Sequence, residues 1–336
     1  MEEDVACSGF FRAATEDTIS CLDKFEAQGA LQFLAGNLLE APYNLIYALT
    51  HPGSWLAWTS EISLRDRIAD QGAAESLMRF VYYGASVELF FVVLVLFLLL
   101  TIVGLLRNNI MWGVVRGLEA FSNTVGRIAA WVGLIMVLQQ IVIIFMQRVF
   151  ATSQISMGFG MTFTKDVSWW SEELKLYNAI IVCLCVSYTF IQGGHVRVDL
   201  IYAGVSYRTK RVIDMLGCLI FMIPAAIITY LFGWFFMWRS LITPPASASD
   251  TLERLLPKAR AVKWNVETTG FSPNGFDVYI LFKLLLVSFT IMVMLQAVAF
   301  FYRSYLEWKE GEASEGKYLD KDSLGDPIAE TVAKIH

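Results

Sequence analysis

Five stretches of this chain carry no charged residue: those between Glu88 and Arg107, Arg127 and Arg148, Lys175 and His195, Asp214 and Arg239, and Lys283 and Arg303. Crossing the hydrocarbon core of a bilayer takes roughly 20 apolar residues in a helix. A helix satisfies its own backbone hydrogen bonds there, where water cannot. The five windows therefore read as five membrane-spanning helices. Composition agrees, with 56% hydrophobic and 17% charged residues, against about a quarter charged in an average soluble domain.

The flanks are more broken. ALQFLAGNLLEAPYNLIYALTHPGSWLAW, residues 30–58, is interrupted by Glu40, Pro42 and His51-Pro52-Gly53. Those breaks fit an interfacial or re-entrant pair of helices better than a sixth span. SLRDRIADQGAAESLMRF then reads as a surface amphipathic helix leading into the first span. The opening MEEDVACSGF lacks the basic and apolar regions of a secretory signal.

Orientation follows from lysine and arginine in the short loops. Arg107, Arg116 and Arg127 on one segment, and Arg197, Arg208, Lys210 and Arg211 on another, place both segments in the cytoplasm. Parity then puts residues 150–171 and 243–276 outside, although Arg254, Lys258, Arg260 and Lys263 run against the rule, and leaves the C-terminus inside. The side of the N-terminal tail stays open: one span before Arg107 puts it outside, two put it inside. Cys7 and Cys21 can pair if that tail is outside, while Cys183, Cys185 and Cys218 read as small packing residues.

Chemistry is sparse. No basic stripe with interleaved aromatics supports nucleic-acid binding. His51, His195 and His336 are the histidines, and none lies within a span to ligate haem. No HExxH, GxSxG, Walker or DxDxDG sequence occurs. Ionisable residues inside a membrane mark transport pathways, and these spans hold almost none. Gln139, Gln140 and Gln296 are their deep polar residues, expected to bond to neighbouring helices. Lys283 can snorkel to the interface. Trp112, Trp169, Trp170, Trp234, Trp238 and Trp308 near span ends read as interfacial anchors. Pro224 is expected to bend the fourth span. Ser168 or Ser171 can cap the third span, with Glu172 and Glu173 in its first turn. Gly193 and Gly194 can end that span, after which Asp199 can cap a new helix.

One order of residues is more specific than these local accounts. A span ends in Arg148-Val149-Phe150. Trp170-Ser171-Glu172-Glu173 opens the next, and Gly193-Gly194-His195-Val196-Arg197-Val198-Asp199-Leu200 follows its exit. The series resembles the small membrane subunit of tripartite ATP-independent periplasmic (TRAP) transporters, the DctQ family, over roughly residues 115–305. The resemblance implies a four-helix membrane bundle in the bacterial inner membrane, with both its ends cytoplasmic and with no catalytic residue, cofactor or metal of its own. It implies two protein partners besides membrane lipid, a large multi-span permease subunit and a periplasmic substrate-binding protein. The transport implied is ion-gradient-driven, sodium-coupled import of an organic acid, with this subunit bracing the larger one. Arg148, Trp170, Glu172, Glu173, Gly193, Gly194, His195, Arg197 and Asp199 are then the family marks and candidate subunit-interface residues.

The chain departs from that pattern in its expanded segments 151–167 and 241–276 and in its N-terminal extension. The expected fold is all-α: an extension over 1–110 with interfacial helices and one extra span, a four-helix domain over 111–305, and a charged, disordered cytoplasmic tail over 306–336. Two other readings share this composition, an accessory subunit of a different redox or assembly complex and a stand-alone channel.

Overall fold

The computed structural model describes residues 7–11, 20–62, 66–157, 163–193, 204–268 and 274–321. Helices α1 (Cys21–Glu26), α2 (Ala30–Thr50), α3 (Gly53–Leu56) and α4 (Gln71–Tyr83) precede α5 (Val87–Leu106). α6 (Asn108–Ile144) runs on through a π-helical turn, Phe145–Val149, and the hairpin β1 (Gln154–Met157) and β2 (Phe163–Asp166) feeds α7 (Val167–Gln192). α8 (Tyr207–Arg239) is followed by β3 (Ile242–Thr243), α9 (Leu252–Lys258), β4 (Lys263–Trp264) and α10 (Ile280–Glu310). Among the described residues, α5, α6, α7, α8 and α10 are the helices long and apolar enough to cross a membrane.

Four of these helices extend well past their charge-free windows, α7 by starting at Val167. α6 starts at Asn108 because an inward stripe at helical spacing continues upstream: Met111, Val115, Glu119, Ser122, Gly126 and Ala129 are buried. α8 starts at Tyr207 after Ser206, and α10 continues to Glu310. In α8 the π-helical turn Cys218–Met222 lies directly before Pro224, where the missing amide of proline disturbs the regular ladder.

The chain divides into two compact units. The first comprises the residues up to Leu106 together with Trp234–Val266, so the segment after α8 groups with the extension rather than with the four-helix domain. Here α1 is capped by Ser20, whose Oγ accepts from the Asp23 N–H at 3.0 Å. A disulfide joins Cys7 to Cys21, and the Cys21 N–H donates to Gly9 O at 2.9 Å. α2 passes through Pro42 as one helix, and the chain breaks only at His51. The pair of helices expected over 30–58 is thus one long helix followed by short turns. α4 begins at Gln71, capped by Asp70, and is packed rather than a surface helix: Ala73, Ala74, Leu77, Met78 and Val81 are buried. It lies against α9, where Leu255 is fully enclosed. Trp58, Phe80, Trp234, Trp238 and Trp264 form one aromatic cluster with neighbouring ring centroids 5.1–6.4 Å apart.

The second unit comprises Arg107–Gly233 and Glu267 onward. α6, α7 and α10 pack on one another, and α8 packs on α10. α6 and α7 approach closely at Gly126, whose position leaves no room for a side chain beside Tyr188 and whose carbonyl lies 3.5 Å from Cys185 Sγ. Ser187 Oγ of α7 donates to Met292 O of α10 at 2.7 Å. Residues 306–321, expected as part of a disordered tail, are instead packed against this bundle. Leu306, Glu307 and Ser314 are buried, and Asn123 Nδ2 donates to Asp320 O at 2.9 Å.

Candidate functional site

Two polar clusters stand out in the second unit. The first surrounds the start of α7 and contains most of the described motif residues. Ser153 O accepts the Val167 N–H, so the hairpin delivers the chain straight into the helix. α7 therefore begins two residues earlier than a Ser168 cap requires and five earlier than a Ser171 cap, and Asp166 takes the cap position. Ser171 Oγ instead donates to Val167 O (2.9 Å), and Ser168 Oγ to Asn274 O (3.2 Å). Glu172 and Glu173 thereby fall in the second turn and serve as acceptors for other segments. Glu172 Oε2 accepts the Phe276 N–H at 2.9 Å. Glu173 accepts from Gln139 Nε2 of α6 at 2.9 Å and from the Tyr177 hydroxyl at 3.2 Å.

Tryptophans complete this cluster. Trp169 Nε1 donates to Asp277 at 2.9 Å, and Lys165 pairs with the same carboxylate at 3.7 Å. These donors hold the Asp277 carboxyl below its ordinary range, Trp169 contributing most, although burial pulls the other way. Trp170 is 7% exposed, and its Nε1 has no hydrogen-bond partner among the described residues. Arg148 lies apart, exposed on the π-helical end of α6. Gly193 ends α7 at φ +77°, a conformation that favours glycine. Gly194, His195, Arg197 and Asp199 lie outside the described residues.

The second cluster was missed in the sequence. Glu119 of α6 and Arg303 of α10 form a bidentate pair at 2.5 and 2.6 Å, both buried. Arg303 also lies 3.5 Å from Glu307, donates to Lys317 O at 3.0 Å, and faces the Trp112 ring at 5.4 Å. Glu307 is shared with buried Arg211 of α8 at 2.9 Å, and Arg211 reaches Glu315 at 2.8 Å and Asp214 at 3.3 Å. Three helices and the C-terminal segment thus meet through alternating charge. Charge-free windows could not reveal it, because every member lies outside them. The usable signal was the i, i+4 spacing of Arg303 and Glu307 on an otherwise apolar helix.

Several expected roles change. Gln139 does bond to the neighbouring helix, but Gln296 is buried with Oε1 unpartnered among the described residues, and Gln140 is exposed. Lys283 pairs with Glu267 instead of snorkelling. Of the six tryptophans read as anchors, Trp112, Trp169, Trp170, Trp234 and Trp238 are buried inside the protein, and only Trp308 is exposed. Their rings fill internal gaps, and three indole nitrogens hold internal acceptors: Trp112 on Glu310, Trp169 on Asp277 and Trp234 on Val81 O.

Both clusters tie elements together. Their carboxylates are engaged by donors within the chain, and no group of three or more metal-type ligands occurs among the described residues. No family model, no characterised protein and no solved structure matches the chain.

Proposed function

We propose that this chain is the small membrane subunit of an ion-gradient-driven TRAP-type transporter that imports an organic acid, bracing a larger multi-span permease subunit. The observation that carries this reading is the ordered series Arg148-Val149-Phe150, Trp170 to Glu173 and Gly193 to Leu200 across consecutive apolar helices. The internal use of polar groups supports it. Glu172, Glu173, Glu119 and Glu307 hold helices and loops together, each engaged by a donor within the chain. In α5, α6 and α8 only 11% of the most apolar window is buried within the chain. That leaves long apolar faces for lipid and for a second membrane protein.

The N-terminal extension enlarges the brace, and the segments 151–167 and 241–276 offer contacts to a periplasmic binding protein. Co-purification tests the reading. Solubilised with the products of adjacent genes, the chain should elute with one large multi-span protein. Arg197→Ala and Asp199→Ala should lower complex yield or uptake. Elution alone, with ion conductance in liposomes, points to a channel and overturns the proposal. A stable complex with redox or assembly proteins points to an accessory subunit and does the same.

A further inference from the structure

Hydrogen bonds between distant segments constrain how often the chain crosses the membrane between them. Trp264 donates from its backbone N–H to Asp66 O and from Nε1 to Glu61 O, both at 3.1 Å. Four candidate spans, α5 to α8, separate these segments, an even number, so the chain returns to the face it left. Trp169 and Asp277, 2.9 Å apart, bracket α7 and α8 in the same way. So do Arg211 and Glu307, at the two ends of the α8–α10 pair, 2.9 Å apart. Each contact agrees with all five helices crossing.

Among the described residues, α2 is the one further helix of spanning length, 21 residues or about 31 Å at 1.5 Å per residue. Its two ends show that it does not cross. Phe33, in its first turn, packs on Phe91 near the start of α5 at 6.1 Å. Trp55, just past its other end, stacks on Phe80 at 6.1 Å, and Phe80 touches Trp234 at 5.6 Å. Trp234 in turn lies against Gly84 at the entrance to α5 and donates to Val81 O at 2.9 Å. Both ends of α2 therefore sit at the level where α5 begins. Five crossings by the described helices put residues 7–11 and 311–321 on opposite faces.

The Cys7–Cys21 disulfide selects which face is which, because such bonds persist in oxidising compartments and are rare in the cytosol. We infer that the described residues of 7–86, together with 240–266, form one extracytoplasmic module closed by this disulfide, and that residues 311–321 are cytoplasmic. The basic segments at Arg107–Arg127 and Arg208–Arg211 independently agree, falling on the cytoplasmic face. The basic residues of 254–263 are no obstacle: they belong to a long folded segment, which positive charge does not hold inside, and Lys258 is paired with Asp250 at 2.6 Å.

Thiol counting and sidedness test this on the full chain. Denatured in maleimide-polyethylene glycol, the protein should gain three adducts without reductant, at Cys183, Cys185 and Cys218, and five after reduction. In intact bacterial spheroplasts an impermeant maleimide should label Ser249→Cys, whereas Ser206→Cys should react only after lysis. Both positions are exposed. Five adducts without reductant, protection of Ser249→Cys in intact spheroplasts, or labelling of Ser206→Cys from outside would overturn the inference. None of these readouts depends on a transport partner.

Discussion

Removing one end of the Glu119–Arg303 pair is the sharpest perturbation available. Glu119→Gln keeps the shape but strips the charge that neutralises a guanidinium held at 2.5 and 2.6 Å and almost closed to solvent. Breaking a buried pair on one side costs about 3–5 kcal/mol. Arg303 retains Glu307 at 3.5 Å and Lys317 O at 3.0 Å, which places the cost near the low end, about 3 kcal/mol. At about 2–4 °C per kcal/mol for a domain of this size, the melting temperature should fall by ~6–12 °C. Thermal unfolding of the purified protein in detergent, followed by fluorescence-detected size exclusion, reads this shift. Arg303→Met alone should cost as much, because it strands Glu119. The double variant should recover much of the loss, since no unpaired charge remains buried. Single variants within about 0.5 kcal/mol of wild type, as for surface changes, would refute the reasoning. So would a double variant that simply sums the singles.

Three further outcomes follow from particular residues. Glu26 on α1 is pushed up to about 7, mainly by burial and then by Glu40 and Asp23, with Asn37 opposing. A carboxyl raised in the fold holds its proton where the unfolded chain has lost it, so its stabilisation is complete below about pH 4 and lost as pH rises through 7. Glu26→Gln should therefore raise thermal stability at pH 8 and leave it unchanged at pH 4. Asp277 is the opposite case: its carboxyl is lowered, so its contribution holds above about pH 4 and disappears as pH falls through the folded value. Asp277→Asn should cost stability at pH 7 with the difference closing on acidification, and a constant difference would contradict this account. At Gly126 an added methyl would overlap the Tyr188 side chain between α6 and α7. Gly126→Ala should cost about 1–3 kcal/mol by overpacking, measured by the same melting assay, whereas Gly113→Ala, with open space around it, should not.

What the sequence made legible was the part governed by local rules. Apolar length alone located all five candidate spans, because lipid forbids interruptions over the same distance that a helix needs to cross. Gly193 was readable as a helix end because few other residues adopt its φ of +77°. Pairing across the chain was not legible in this way. Glu119 and Arg303 lie 184 residues apart, and each alone resembles an ordinary charge at a span boundary. The roles of Glu172 and Glu173 depended on whether α7 begins at Val167 or a turn later, which the β1–β2 hairpin decides. The tryptophans were misread because an indole at a span end looks alike whether lipid or Asp277 receives its N–H.

The long reach of the Glu119–Arg303 pair also bears on how the protein is made. Synthesis runs from the N-terminus, so α6 takes its place with Glu119 before α10 exists to receive it. Arg211 of α8 likewise precedes Glu307, and both pairs complete only as the last helix emerges. Until then the nascent bundle holds Glu119 without its Arg303 partner and Arg211 with only Asp214 of its own helix. An interrupted chain stays in that state, so correct assembly carries its own completion check in the last helix to be translated.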